Sequence, residues 1–91
     1  MSLASSFMTK DVVHFLSPMG DAHFFSANSP QNPAFVQVGD EVFEDTVICV
    51  IEWNGVKNEV RAETRGIIVA ILAGNGQSIK FGQRLFTIWP Y

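Results

Sequence analysis

From position 12 onward, apolar and polar residues alternate with a period near two, in short runs broken by glycine, proline, asparagine and serine. That rhythm sends successive side chains to opposite faces of an extended backbone, and helical periodicity is nearly absent. The runs predict strands over 12–16, 22–25, 35–38, 46–53, 56–62, 67–72 and 84–89. Ser17-Pro18 ends the first, because proline cannot donate to a ladder. Residues 26–33 hold two Pro, two Asn and two Ser and read as a loop. Gly39-Asp40, Gly74-Asn75-Gly76 and Gly82 supply turn positions with positive φ. Many short strands at such spacing predict a small all-β sandwich or flattened barrel.

One turn is written more plainly than the others. Asn54-Gly55 separates two apolar-rich runs, and both central residues of a type I′ turn need the positive φ that Asn tolerates and Gly adopts freely. A two-residue hairpin follows. In its register Trp53 faces Val56, Glu52 faces Lys57, Ile51 faces Asn58 and Cys49 faces Val60. Trp53, Ile51, Cys49, Val56 and Val60 then share one side, expected to be buried. Glu52, Lys57, Glu59 and Arg61 share the other, with Glu52 and Lys57 expected to form a cross-strand charge pair.

The chain also echoes itself. Residues 39–51 can be laid on 76–88, so that Gly39 meets Gly76, Val42 meets Ile79, Ile48 meets Leu85, Cys49 meets Phe86 and Ile51 meets Ile88. Cys49, Ile51, Val60, Ile71, Leu85 and Ile88 are the expected core.

Taken together, Ser17-Pro18-Met19, residues 35–42, residues 48–52 and the runs 66–71 and 82–88 resemble the biotinyl/lipoyl attachment domain family. The likeness is to the biotin carboxyl carrier of bacterial and plastid acetyl-CoA carboxylase, and it spans about residues 12–89. It implies a flattened β-barrel, or barrel-sandwich hybrid, of two antiparallel four-stranded sheets related by a pseudo-twofold axis. In that family the hairpin tip reads Glu-Ala-Met-Lys-Met, with biotin amide-linked to the lysine. Here the matching residues are Glu52-Trp53-Asn54-Gly55-Val56, which puts Gly55 at the lysine position. Gly55 has no amine, so no bound cofactor is expected; Lys57, two residues on, is the alternative attachment point. At Asp45 the family usually has Gly, and Asp is expected to hold the left-handed conformation there. The resemblance further implies that 26–33, with Phe25, Ser26, Pro30 and Pro33, forms the protruding thumb of carboxylase carriers. The function it implies is a non-catalytic interaction or regulatory partner of carboxylase subunits in fatty acid synthesis. The expected compartment is the cytoplasm or, in a plant, the plastid stroma. Other readings are a working carrier modified at Lys57, or a barrel-sandwich module of another assembly.

Composition narrows the field. Ninety-one residues make one small domain, read as 11–91, with 1–10 a flexible lead whose Met1-Ser2-Leu3 resembles a cloning scar. A net charge of −3 and six scattered basic residues argue against nucleic acid. No apolar run approaches the roughly 20 residues of a membrane-spanning helix. Cys49 is the only cysteine, so no internal disulfide forms, and in an apolar run it reads as a small core residue. His14 and His23 lack further ligands at metal-binding spacing, so no metal site is expected. Asp21 and His23 share a face without a nucleophile, Glu41, Glu44 and Asp45 read as a solvated acidic turn, and Gly74-Asn75-Gly76 lacks the Lys-Ser/Thr of a phosphate loop. No catalytic residue emerges.

Overall fold

The computed structural model describes residues 12–91, so the expected lead over 1–10 lies outside the described residues. Eight strands follow in order: β1 (Val13–Leu16), β2 (Ala22–Phe25), β3 (Glu41–Val42), β4 (Val47–Trp53), β5 (Val56–Arg61), β6 (Gly66–Ile71), β7 (Ser78–Ile79) and β8 (Arg84–Pro90). They form two antiparallel four-stranded sheets, ordered β1-β8-β6-β3 and β5-β4-β2-β7. The sheets share no strand, which makes a flattened sandwich rather than a closed barrel. No helix occurs among the described residues.

The inner faces meet over Phe24, Ile48, Cys49, Ile51, Ile68, Ile79, Leu85, Phe86 and Ile88, all buried. Phe86 is the hub: the Phe24 ring lies 5.7 Å from it and the Phe15 ring stands edge-on at 6.4 Å. Of the expected core, Cys49, Ile51, Leu85 and Ile88 are fully buried, while Val60 and Ile71 are partly buried and packed against it.

The sequence echo is a structural symmetry. Shifting by 37 positions carries β3 onto β7 and β4 onto β8 (41 to 78, 47 to 84, 53 to 90). The same shift superposes their turns. Gln37 N–H donates to Asp40 Oδ2 (2.9 Å) as Gly74 N–H donates to Gln77 Oε1 (2.8 Å). Phe43 N–H donates to Thr46 Oγ1 (2.9 Å) as Lys80 N–H donates to Gln83 Oε1 (3.0 Å). A shift of 44 carries β2 onto the start of β6, because His23 pairs with Glu52 as Ile67 pairs with Trp89. A shift of 45 carries β1 onto β5, bulge included, since Phe15 pairs with Phe86 as Val60 pairs with Cys49. The halves exchange strands: β2 pairs with β7 of the other half, and β6 with β3.

Two expectations are corrected. Residues 35–38 form no strand; only Val36 there is buried, Val38 is exposed, and pairing begins at Glu41–Val42. The reason is anchorage by single bonds: Phe35 N–H donates to Ser26 O (2.8 Å) and Gly39 N–H to Ile68 O (2.8 Å), so the segment crosses the sandwich end without a ladder. Asp45 is not left-handed. Its counterpart Gly82 has φ 79°, but on the first-half side the positive φ (62°) falls on Glu63, whose N–H donates to Glu44 O (2.9 Å). The Asp45 turn closes through Thr46 N–H to Phe43 O (3.0 Å) together with the Thr46 hydroxyl, as the Gly82 turn closes through Gln83 N–H to Lys80 O (3.0 Å) and the Gln83 amide.

Candidate functional site: the hairpin tip and its flanking loops

The β4–β5 hairpin keeps the expected register, with Trp53 opposite Val56, Glu52 opposite Lys57, Ile51 opposite Asn58 and Cys49 opposite Val60. Asn54 and Gly55 turn the chain with φ of 53° and 76°, the double positive φ that a type I′ turn demands. Gly55 is exposed, and a Cβ built on it would meet nothing within 4 Å. The apex is open space.

The expected buried face stops short of the tip. Ile51 is fully buried, but Trp53 is 45% exposed and Val56 57% exposed. Strand alternation sets the face a side chain takes, not how far the opposing sheet reaches; here the hairpin overhangs the end of the core. Asn58 steadies the overhang by donating from Nδ2 to Val56 O (3.2 Å) and Ile51 O (3.4 Å).

Each side of the tip has its own neighbour. On the Trp53 side lies a cleft of about 250 Å³ lined by Trp53, Pro18, Met19 and Gly20. The segment 17–20 is held by Ser17, which is buried: its N–H donates to Gln83 O (2.8 Å), its hydroxyl donates to Met19 O (2.7 Å), and Met19 N–H donates back to Ser17 Oγ (3.3 Å). The sequence marked Ser17-Pro18-Met19 as a motif without showing that Met19 and Gly20 would meet Trp53.

On the Lys57 side lies a cleft of about 140 Å³ between the hairpin and the 26–33 loop. Phe25, Ala27, Asn28, Ser29, Pro30, Lys57 and Asn75 line it. Ser26 roots the loop, donating from N–H to Asn75 Oδ1 (2.9 Å) and accepting from Phe35 N–H (2.8 Å). Ser29 and Asn32 close its bend, with Asn32 N–H donating to Ser29 O (3.1 Å) and the Ser29 hydroxyl to Asn32 Oδ1 (2.6 Å). Of the residues singled out in the loop, Phe25 and Pro30 face this cleft, Ser26 anchors its base, and Pro33 is exposed outside it. Asn75, whose side chain latches the loop, carries only a turn signal in the sequence.

Lys57 lies opposite Glu52 as the register requires, yet no ion pair joins them among the described residues. The Lys57 ammonium sits instead 6.0 Å from the centre of the Phe25 ring, at the reach of a cation–π contact. Among the described residues Arg61 pairs with Glu59 (3.7 Å), both solvent-exposed and worth a few tenths of a kcal/mol.

The remaining chemistry is quiet. Burial pushes the Cys49 thiol up from 9.0 to about 12, so its nucleophilic thiolate is suppressed. The described residues contain no group of three His, Cys, Asp or Glu that could hold a metal ion, and no helix long and apolar enough to cross a membrane. The ring of His14 is hydrogen-bonded to Thr87 Oγ1 (3.2 Å), and His23 lies in the row of Glu52.

Two strand-exchanged sheets with an exposed two-residue hairpin define a barrel-sandwich module. A family model described as "Biotin-requiring enzyme" matches residues 16–88, and the chain belongs to this biotinyl/lipoyl family. It is 48% identical over 65 residues to the biotin carboxyl carrier protein of acetyl-CoA carboxylase from Chlamydia muridarum, covering 71% of this chain and 40% of that protein. Against the protein of that name from Pseudomonas aeruginosa it is 42% identical over 65 residues, 71% of this chain and 42% of the relative. Against the chloroplastic one from Glycine max it is 39% identical over 74 residues, 81% of this chain and 28% of the relative. The chain thus spans less than half the length of these curated relatives.

Proposed function

We propose that this chain is a carrier-like domain that has lost its attachment lysine and acts by occupying the docking surfaces of an acetyl-CoA carboxylase-type complex without carrying a group. The observation that supports this most directly is Gly55 at the hairpin apex. Biotinylation is acyl transfer to an ε-amine, and the family presents that amine at the tip. Gly55 has none, and the flanking Asn54 and Val56 differ from the methionines of the family's tip. The residues present therefore do not fit covalent biotin at the apex. Around that tip the scaffold is intact: two symmetric sheets, a full core and a loop beside the hairpin. On this reading the loop over 26–33 is the thumb, and the protein partners are carboxylase subunits in the cytoplasm or a plastid stroma. A carrier without a cargo would lower the throughput of such a complex or serve its assembly in fatty acid synthesis.

Intact mass after treatment with biotin, ATP and a biotin ligase tests the proposal. The mass is expected to stay unmodified. Gly55→Lys alone should label poorly; replacing Trp53-Asn54-Gly55-Val56 with Ala-Met-Lys-Met should label well. Labelling of the unaltered chain, mapped to Lys57, would make it a working carrier and overturn the reading. Co-purification from native extract without any carboxylase subunit would leave a barrel-sandwich module of another assembly.

A further inference from the structure

A β-sandwich has exposed edges, and an unpaired strand edge is a template for another strand unless it is shortened, charged or covered. The two sheets here end in β1, β3, β5 and β7. Strands β3 and β7 are two residues long, too short to seed a ladder. β5 is long but carries Lys57, Glu59 and Arg61, all exposed. β1, its counterpart under the pseudo-twofold, reads Val13-His14-Phe15-Leu16 and carries no Lys, Arg, Asp or Glu. Val13 and Leu16 are exposed along it, with Val12 beside them. Among the described residues nothing pairs with the outer edge of β1. Three edges are blunted and one is not.

We propose that this edge pairs with β1 of a second copy, joining two four-stranded sheets into one continuous eight-stranded sheet about a twofold axis. The occupant follows from the strand's own chemistry. β1 is extended, apolar and free of formal charge, so antiparallel pairing with itself brings no like charges together, whereas β5 paired on itself about Glu59 would set Glu59 against Glu59 and Lys57 against Arg61. In a twofold pairing of this kind only residues pointing to the same face can stand opposite each other, so the axis falls on His14 or on Phe15. With the axis on His14, Val13 stands opposite Phe15 and Leu16 opposite Val12, cross-strand apolar pairs that one copy leaves exposed; with the axis on Phe15, Val13 stands opposite Ser17 and Leu16 opposite His14. The proposal does not depend on the reading of the hairpin tip.

Equilibrium sedimentation of the 91-residue chain from micromolar to millimolar concentration tests this. The apparent mass is expected to rise to twice that of one chain. Val13→Lys and Leu16→Lys, each checked for an unchanged circular dichroism spectrum, should remain single chains throughout. Glu59→Gln, on the charged counterpart edge, should double as the natural sequence does. Because Cys49 is buried, mild oxidation of His14→Cys or Phe15→Cys should link two chains in whichever variant places its cysteine on the axis. A natural chain that stays single at millimolar concentration, doubling that persists in both lysine variants, or doubling with neither cysteine variant crosslinked would overturn the proposal.

Discussion

The two halves of this molecule repeat each other closely where they pack and part company where they face outward. The first half joins β4 to β5 through Asn54-Gly55; its counterpart in the second half, β8 beside β1, is left unjoined, with Pro90 at the position of Trp53. The first half also inserts a loop. From β2 to β3 the offset between halves falls from 44 to 37, so the 26–33 region contains seven residues that the β6–β7 connection lacks. The hydrogen-bonded turns, the bulge at β1 and β5 and the buried positions are shared; the tip, the loop and the β6 bulge at Ile68–Ala70 are not. Features present twice serve the sandwich, and features present once are free to serve something else.

The largest test of that division sets Phe86 against its counterpart Cys49, both buried. Phe86→Ala should cost about 3–5 kcal/mol, because it removes the ring on which Phe15 and Phe24 converge. Cys49→Ala should cost about 1 kcal/mol, having only a thiol to lose. Urea denaturation of the two variants measures the difference, and equal losses would mean the core is not centred on Phe86.

Gly66 and Ala22 stand at matching positions but do not have matching room. A Cβ on Gly66 would run into the Trp89 carbonyl oxygen and come within 2.8 Å of Ile88 Cγ2 and 2.9 Å of Pro90 Cα. Gly66→Ala is therefore expected to destabilise by about 1–3 kcal/mol, and Ala22→Gly by about 1 kcal/mol through backbone entropy and lost packing. Thermal melts should rank them in that order.

The unshared features should answer more mildly. Gly55→Ala forces a side chain into positive φ but meets no neighbour, so a cost of roughly 1 kcal/mol is expected. Excising residues 27–33 trims the first half to the loop length of the second. It should shift stability by less than about 1 kcal/mol, because closing a longer loop costs little more than closing a short one, and it should leave Phe25 more exposed. A loss as large as that of Phe86→Ala would place the loop among the structural elements instead.

Much of this was legible in the chain, for identifiable reasons. Asn54-Gly55 dictates both φ values of its turn, and with them the pairing of every residue from Cys49 to Val60. The echo of 39–51 in 76–88 is the 37-residue symmetry itself. The two-residue strands Glu41–Val42 and Ser78–Ile79 carry no period that the chain could show. Residues 35–38 alternate like a strand but are tied by single bonds at each end. The exposure of Trp53 and the turn of Lys57 toward Phe25 depend on where the opposite sheet ends and where a distant loop lies, which no local pattern encodes.

Strand exchange between the halves also has a kinetic consequence. Val13 pairs with Ile88, close to the other end of the described chain, and β2 cannot complete its sheet without β7, more than fifty positions later. Neither half can fold by itself, so the domain should acquire structure slowly and all at once, as topologies dominated by distant pairings do. For the same reason, a chain cut once within residues 27–33 should not come apart, since the short piece keeps β1 and β2 clasped between β8, β4 and β7. The two fragments, mixed after separate purification, should reassemble the sandwich that neither can form alone.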